Sequence, residues 1–192
     1  RKYGDQIVLE KDIFKNCIAT IVHHVSQIGQ MVDEFANFAK MPSAKLKYQN
    51  IGDVITRVVS LQQLAHDNVN YIWDLPKNEI LMMMDENLIL QALTNLLLNA
   101  YESFEGGNQT SPCIKVSLSK EDYIAIIIED NGKGFPKENR EKLTEPYITT
   151  RVKGTGLGLA IVKHIVEEHK GQLFLNDSQD LGGAKIELIF NN

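Results

Sequence analysis

Apolar residues recur at Phe14, Ile18, Ile21, Val25, Ile28, Val32, Phe35 and Ala39, separated alternately by four and three positions. This is a heptad seam sustained for more than three repeats, and it predicts one long helix over residues 10–41. Pro42 ends it, because proline has no N–H to donate and its ring clashes with the preceding turn. A seam of this length needs a partner helix, supplied by a second copy of the chain or by a segment before Arg1. The opening Arg1-Lys2-Tyr3-Gly4 has no Met and reads as an internal cut in a longer protein.

From about Leu46 the period changes. Residues 51–65 read as an amphipathic helix, 69–73 as a strand and 80–84 as a second short strand. Asp85 is placed to cap a long helix that runs through Ser103, its carboxylate accepting early backbone N–H bonds. Gly106-Gly107-Asn108 breaks that helix. Residues 114–119 and 123–129 form a hairpin around Lys120-Glu121-Asp122, and a Gly- and Lys-rich loop then extends to about Gly154. Residues 157–169 are helical, with Lys170-Gly171 as the stop. Strands 172–175 and 184–190 close the unit around the Gly182-Gly183 turn. The expected fold is α+β, a two-layer sandwich of one mixed sheet with helices on one face, preceded by a stalk helix. The expected domains are 1–42 and 46–192.

Composition adjusts this picture little. The chain has 192 residues, 43% hydrophobic and 23% charged, enough to bury a core. A net charge of -5 with mixed signs argues against nucleic acid as the main partner, since phosphate binding needs a basic face. Cys17 and Cys113 are far apart and in no metal-type spacing, so they read as buried thiols. No apolar run reaches the ~18–20 residues of a membrane helix. Any membrane contact is therefore expected through upstream segments.

Three clusters carry the candidate chemistry. Asn95 and Asn99 lie four apart on one helix face. An amide oxygen can ligate Mg²⁺ without adding charge beside a triphosphate. Asp130-Asn131-Gly132-Lys133-Gly134 follows directly on an apolar strand. A carboxylate there can accept a hydrogen bond from an exocyclic amine such as adenine's, and the glycines admit a flat base close to the backbone. Gly154-Thr155-Gly156-Leu157-Gly158 precedes a helix, where glycines can turn N–H groups toward an anion beside the positive end of the helix dipole. The spacing is neither the dinucleotide fingerprint nor a Walker A loop. Each of the first two clusters alone also fits an ordinary structural role, a polar stripe or a turn.

The order and spacing of the three closely resemble the GHKL superfamily of histidine kinases, DNA gyrase, mismatch-repair MutL proteins and Hsp-ninety chaperones. The clusters resemble its N box (Asn95 to Asn99), G1 box (Asp130 to Gly134) and G2 box (Gly154 to Gly158), and the resemblance spans residues 46–190. It implies the Bergerat ATP-binding fold, with ATP and Mg²⁺ as cofactors, Asn99 as the magnesium ligand and Asp130 as the adenine contact. It also implies a lid from about Pro136 to Lys153. In ATP-hydrolysing members the position of Asn95 is usually Glu, which activates water; an amide cannot act as a general base, so a histidine nucleophile is expected instead.

The lid segment from Leu143 to Arg151 and the helix from Ile28 to Pro42 resemble the NtrY type of nitrogen-regulatory sensor kinase. Thr149, Thr150, Arg151, Lys153 and Lys133 become candidate nucleotide contacts, the cations being as readily solvated loop charges. Two positions depart from the pattern: many kinases have Phe at Thr144 and Thr near Ala184. None of the five histidines lies in a phosphoacceptor motif, His66-Asp67 included, so the acceptor is expected on a helix upstream of Arg1. The resemblance further implies a homodimer through the stalk and a response regulator, NtrX-like, as phosphate acceptor. The place implied is the cytoplasmic part of a membrane-anchored bacterial sensor. Two other functions would use the same nucleotide site: an anti-sigma type serine kinase, which the stalk helix argues against, and a non-catalytic nucleotide-sensing dimer.

Overall fold

The computed structural model of the chain describes residues 13–22, 24–26, 28–29, 32, 35–36, 43–106, 111–149 and 154–191. It divides into two units, Arg1–Met41 and Pro42–Asn192. All described residues of the first unit are α-helical, as the heptad spacing predicts. The seam residues from Phe14 to Phe35 are 45–65% exposed. Ala39, Pro42 and the opening tetrapeptide lie outside the described residues.

The second unit runs β1 (Lys47–Asn50), α1 (Ile51–Ala65), β2 (Asn70–Asp74), β3 (Leu81–Met84), α2 (Glu86–Glu102), β4 (Cys113–Lys120) and β5 (Tyr123–Asp130). A 3-10 helix (Arg140–Thr144), α3 (Gly158–Glu168), β6 (Gln172–Asp177) and β7 (Ala184–Asn191) follow. The sheet has the order β2-β4-β5-β7-β6, with β2 parallel to β4 and the other pairs antiparallel. The sequence pattern predicts these elements to within about two residues, except β1 and the 3-10 helix. The predicted strand 80–84 does not join the main sheet: β3 pairs with β1 in a separate ribbon, Tyr48 opposite Met83.

Strand parity places the core. In the aligned register Ile114, Val116 and Leu118 of β4 stand beside Ile124, Ile126 and Ile128 of β5 and Ile186, Leu188 and Phe190 of β7. All are buried, and α2 packs on this face with Leu88, Ile89, Ala92, Leu93, Leu96, Leu97 and Ala100. The opposite face carries Lys115, Ser117, Glu129, Lys185 and Glu187, a polar alternation expected of a sheet covered on one side. Helices α2 and α3 pack antiparallel: Asp85, at the start of α2, bonds His169 beyond the end of α3, while Gly158 at the start of α3 lies beside Asn99.

Helix α3 stops for local reasons. Lys170 takes the left-handed conformation (φ 56°) that ends α3, a position glycine more often fills. The adjacent Gly171 serves closeness instead, since a Cβ there would meet the Ile189 carbonyl and the Phe190 ring at 2.7 Å.

Candidate functional site

Asp130 is the last residue of β5 and shares the even parity of Ile126 and Ile128, so its carboxylate turns under the helices rather than into solvent. It is 4% exposed. Its Oδ1 accepts from the Gly132 N–H at 2.8 Å and the Ala184 N–H at 3.3 Å. The Ser103 hydroxyl, beyond the end of α2, lies 3.3 Å from the same oxygen and 2.7 Å from the Ala100 carbonyl, and can donate to either. A buried carboxylate is costly unless hydrogen-bonded, and these donors supply the partners. They also fix its orientation at the end of the strand. Asn131 has a structural role: its side chain accepts from Cys113 N–H at 2.8 Å and donates to the Ser111 carbonyl at 2.9 Å, tying the loop to β4.

Glycines let this corner pack closely. A Cβ on Gly132 would collide with Ser103, and one on Gly183 with the Asp130 carbonyl and carboxylate. Gly134 has φ 68°, which a residue with a Cβ rarely adopts. Ser103 and Gly183 were missed as site residues from the sequence. The signals were slight: Gly182-Gly183 reads as a turn, and Ser103 as the end of a helix.

Asn99 lies half-buried on α2, one turn beyond Asn95. A Cβ on Gly158 would sit 3.7 Å from the Asn99 amide, so the start of α3 approaches that side chain at ordinary contact distance. Among the described residues no side-chain hydrogen bond from Leu157 caps the N-terminus of α3, where Leu157 is fully buried. The nearest substitute is Thr155 Oγ1, 3.5 Å from Leu157 N. An uncapped first turn leaves N–H groups and the positive dipole end facing the space beside Asn99, which suits an anion.

The lid is partly placed. Tyr147 N–H donates to the Gly156 carbonyl at 3.1 Å, and Tyr147 holds φ 67°. Gly156 has φ 71°, and a Cβ on it would press on the Tyr147 and Ile148 backbone at 2.7–2.9 Å. The segment expected as a lid therefore meets Gly156 through the Tyr147 and Ile148 backbone. Thr144 belongs to the 3-10 helix and donates to the Glu141 carbonyl at 3.0 Å. Thr149 and Lys133 are exposed. Thr150, Arg151 and Lys153 lie outside the described residues. The structure thus brings together Asn99, Gly154 to Gly158 and the lid backbone, and separately builds Asp130, Gly132, Gly134 and Gly183 into one corner below the end of α2.

The tempting His66-Asp67 pair has a packing role: the His66 ring stacks on Tyr101 at 3.7 Å between centroids. Among the described residues no His, Cys, Asp and Glu cluster could hold a metal ion.

Comparison with known proteins agrees with this arrangement. The family model "Histidine kinase-, DNA gyrase B-, and HSP90-like ATPase" matches residues 84–191, more than half of the chain. The nitrogen regulation protein NtrY of Azorhizobium caulinodans is 42% identical, covering 98% of this chain and 25% of that protein. A putative NtrY-like sensor histidine kinase of Rickettsia bellii is 39% identical, covering 100% of this chain and 31% of its own length. The chain thus spans about a quarter to a third of these curated relatives. The solved histidine kinase ThkA in complex with the response regulator protein TrrA superposes with a TM-score of 0.72 at 22% identity, over 89% of this chain and 49% of that one, a likeness of fold. No described helix is long and apolar enough to cross a membrane. With its Asn helix, its buried Asp at a strand end and its uncapped glycine-led helix in the family's order, the chain belongs to the histidine kinase-, DNA gyrase B-, and HSP90-like ATPase family and is closely related to the NtrY-like sensor kinases.

Proposed function

We propose that this chain binds Mg-ATP between α2, the end of β5 and the start of α3, and donates the γ-phosphoryl group to a histidine on the dimerisation stalk of a sensor kinase. The observation that carries this reading is the placement of Asn99 beside the uncapped start of α3. The Asn99 amide and the first turn of α3 are neighbours, and an amide oxygen with backbone N–H groups is the set a magnesium triphosphate needs. Asp130, buried and oriented by Gly132 and Ala184, is suited to accept from the adenine amine. Gly132 and Gly183 let Ser103 and the Asp130 backbone close around that carboxylate and hold it in place.

Bound magnesium would neutralise charge on the triphosphate. The protein's own part is positioning and electrostatic stabilisation, the main levers in phosphoryl transfer. Asn99 holds the metal and the α3 N-terminus holds phosphate oxygens. The Tyr147 N–H to Gly156 carbonyl bond would hold the lid backbone against the glycine run. Thr149, Thr150, Arg151 and Lys153 are further candidate contacts. Asn95 has no basic group with which to activate water, so transfer to an external imidazole is favoured over hydrolysis. The exposed seam from Phe14 to Phe35 supports a homodimer in which a second copy covers it. By likeness to the NtrY proteins, the phosphate passes onward to a response regulator, NtrX-like, in nitrogen regulation, with the sensor anchored in the membrane by other segments.

Calorimetric titration tests the site. Asp130→Ala is expected to abolish ATP binding, and Asn99→Ala mainly to remove its magnesium dependence. Unchanged ATP affinity in Asp130→Ala would overturn the assignment.

A further inference from the structure

The end of the α2–α3 pair remote from Asn99 and Gly158 is also built from polar groups. Asp85 Oδ1 accepts from Asn87 N–H at 3.1 Å and Leu88 N–H at 3.4 Å, which caps α2. Its other oxygen, Oδ2, accepts from Lys45 N–H at 2.9 Å. Lys45 belongs to the short segment of the second unit that precedes β1 in the chain. The preceding amide is held in the same way: Ala44 N–H donates to Glu168 Oε2, on the last turn of α3, at 3.2 Å. Two successive amides of the incoming segment are therefore each gripped by a carboxylate, one from each helix.

The two helix ends are tied to one another as well. Asp85 N–H donates to His169 Nε2 at 2.9 Å. His169 Nδ1 lies 2.6 Å from the Ile165 carbonyl and so carries the hydrogen, which leaves Nε2 as the acceptor. The 11 residues of α3 and the 17 of α2 are stiff rods. At ~1.5 Å per residue they place this junction roughly 16–21 Å from Gly158 and Asn99. A change in the spacing or tilt of the rods at one end must appear at the other, because their packed side chains leave no slack between.

We propose that Asp85 and Glu168 are positioning residues: by clamping Lys45 and Ala44 they make the docking of the segment that precedes β1 and the placement of Asn99 against Gly158 a single equilibrium. The proposal rests on the reading of Asn99 and Gly158 as the ATP site. Since coupling is reciprocal, docking and ATP affinity shift by the same factor. The clamp bonds are partly exposed, which keeps them weak enough to be released.

The test is residue-resolved amide hydrogen exchange on the 192-residue chain with and without Mg-ATP, alongside calorimetric titration. Asp85→Asn keeps a capping oxygen for α2 but presents an NH₂ group to Lys45, and Glu168→Gln can turn an NH₂ group toward Ala44 in the same way. In the wild type, Mg-ATP is expected to slow exchange at Ala44 and Lys45 by about fivefold, the lower end of typical coupling. The double variant should release both amides, weaken ATP by the same factor and leave exchange at Asn87 and Leu88 unchanged. A role confined to capping would move the last two amides and not the nucleotide response. Exchange at Ala44 and Lys45 that ignores bound ATP, or released amides with unchanged ATP affinity, overturns the clamp. Absence of ATP binding in the wild type would instead remove the nucleotide reading on which it rests.

Discussion

The two units treat the same residue types in opposite ways. In the second unit Ile51, Ile89, Leu96, Ile126 and Val162 are 0% exposed, against 45–65% for the isoleucines, valines and phenylalanines of the stalk seam. A helix amide ladder satisfies its own backbone whether or not its side chains are covered, so exposure does not prevent the stalk from being helical. It does withhold the packing that gives protein helices most of their stability. The second unit carries its own core and can hold a site with sub-ångström demands. The stalk carries an instruction to associate, and is complete only when another helix lies in its seam.

That contrast can be broken by paired truncations. Leu96→Ala opens a cavity under α2 and is expected to cost about 2–5 kcal/mol of unfolding free energy in a denaturant titration. Ile21→Ala removes a side chain of equal size from the seam. It should leave the stability of the second unit unchanged while weakening self-association measured by analytical ultracentrifugation. A seam variant that lowers the stability of the second unit as much as Leu96→Ala does would erase the distinction.

A smaller effect sharpens the description of the core. Tyr71 is buried, and among the described residues its hydroxyl has no hydrogen-bond partner. Burial, and then the neighbouring Tyr101, push its pKa from 10.0 up to about 12. The folded state therefore binds this proton more tightly than the unfolded chain. The stability it contributes is complete below pH 10 and is lost as pH rises toward 12. Tyr71→Phe removes an unsatisfied polar group at nearly constant volume. It is expected to stabilise the unit by about 1 kcal/mol and to flatten the alkaline limb of its stability profile. Loss of stability at neutral pH would mean that the hydroxyl has a partner after all.

At the N-terminal end of α2 the sign is opposite for a carboxyl. Burial acts to raise the pKa of Asp85, but the Lys45, Leu88 and Asn87 amides and the neighbouring His169 outweigh it and hold the group below the usual range.

The sequence made some of this legible and left other parts hidden, for physical reasons. The heptad seam, the Asp85 cap, the β4–β5 hairpin and the three clusters are local patterns, readable because period, capping and turn chemistry are set by near neighbours. Strand β1, four residues with the sequence Lys-Tyr-Gln-Asn, is too short and polar to show a period, and its pairing with β3 is a tertiary choice. The 3-10 helix has no strong signal of its own; Leu143, buried beneath it, anchors it. Ser103 and Gly183 meet Asp130 across 27 and 53 positions of chain, a distance no local rule bridges. Even so, parity could have hinted at the corner: counting back by twos from the buried residues of β5 puts Asp130 on the helix side. The stop of α3 shows the converse limit. Lys170-Gly171 was read correctly as a terminus, yet the left-handed residue is the lysine, because the sheet already claims the glycine for close approach to β7.

The account stands most directly on one measurement: phosphate transfer in trans. The 192-residue chain is mixed with γ-labelled Mg-ATP and a separately made stalk helix carrying the acceptor histidine. The account predicts acid-labile, base-stable label on the added helix, dependent on Asp130 and Asn99, and none on this chain alone. Label acquired by this chain by itself, or tight ATP binding with no transfer to the helix, would contradict it.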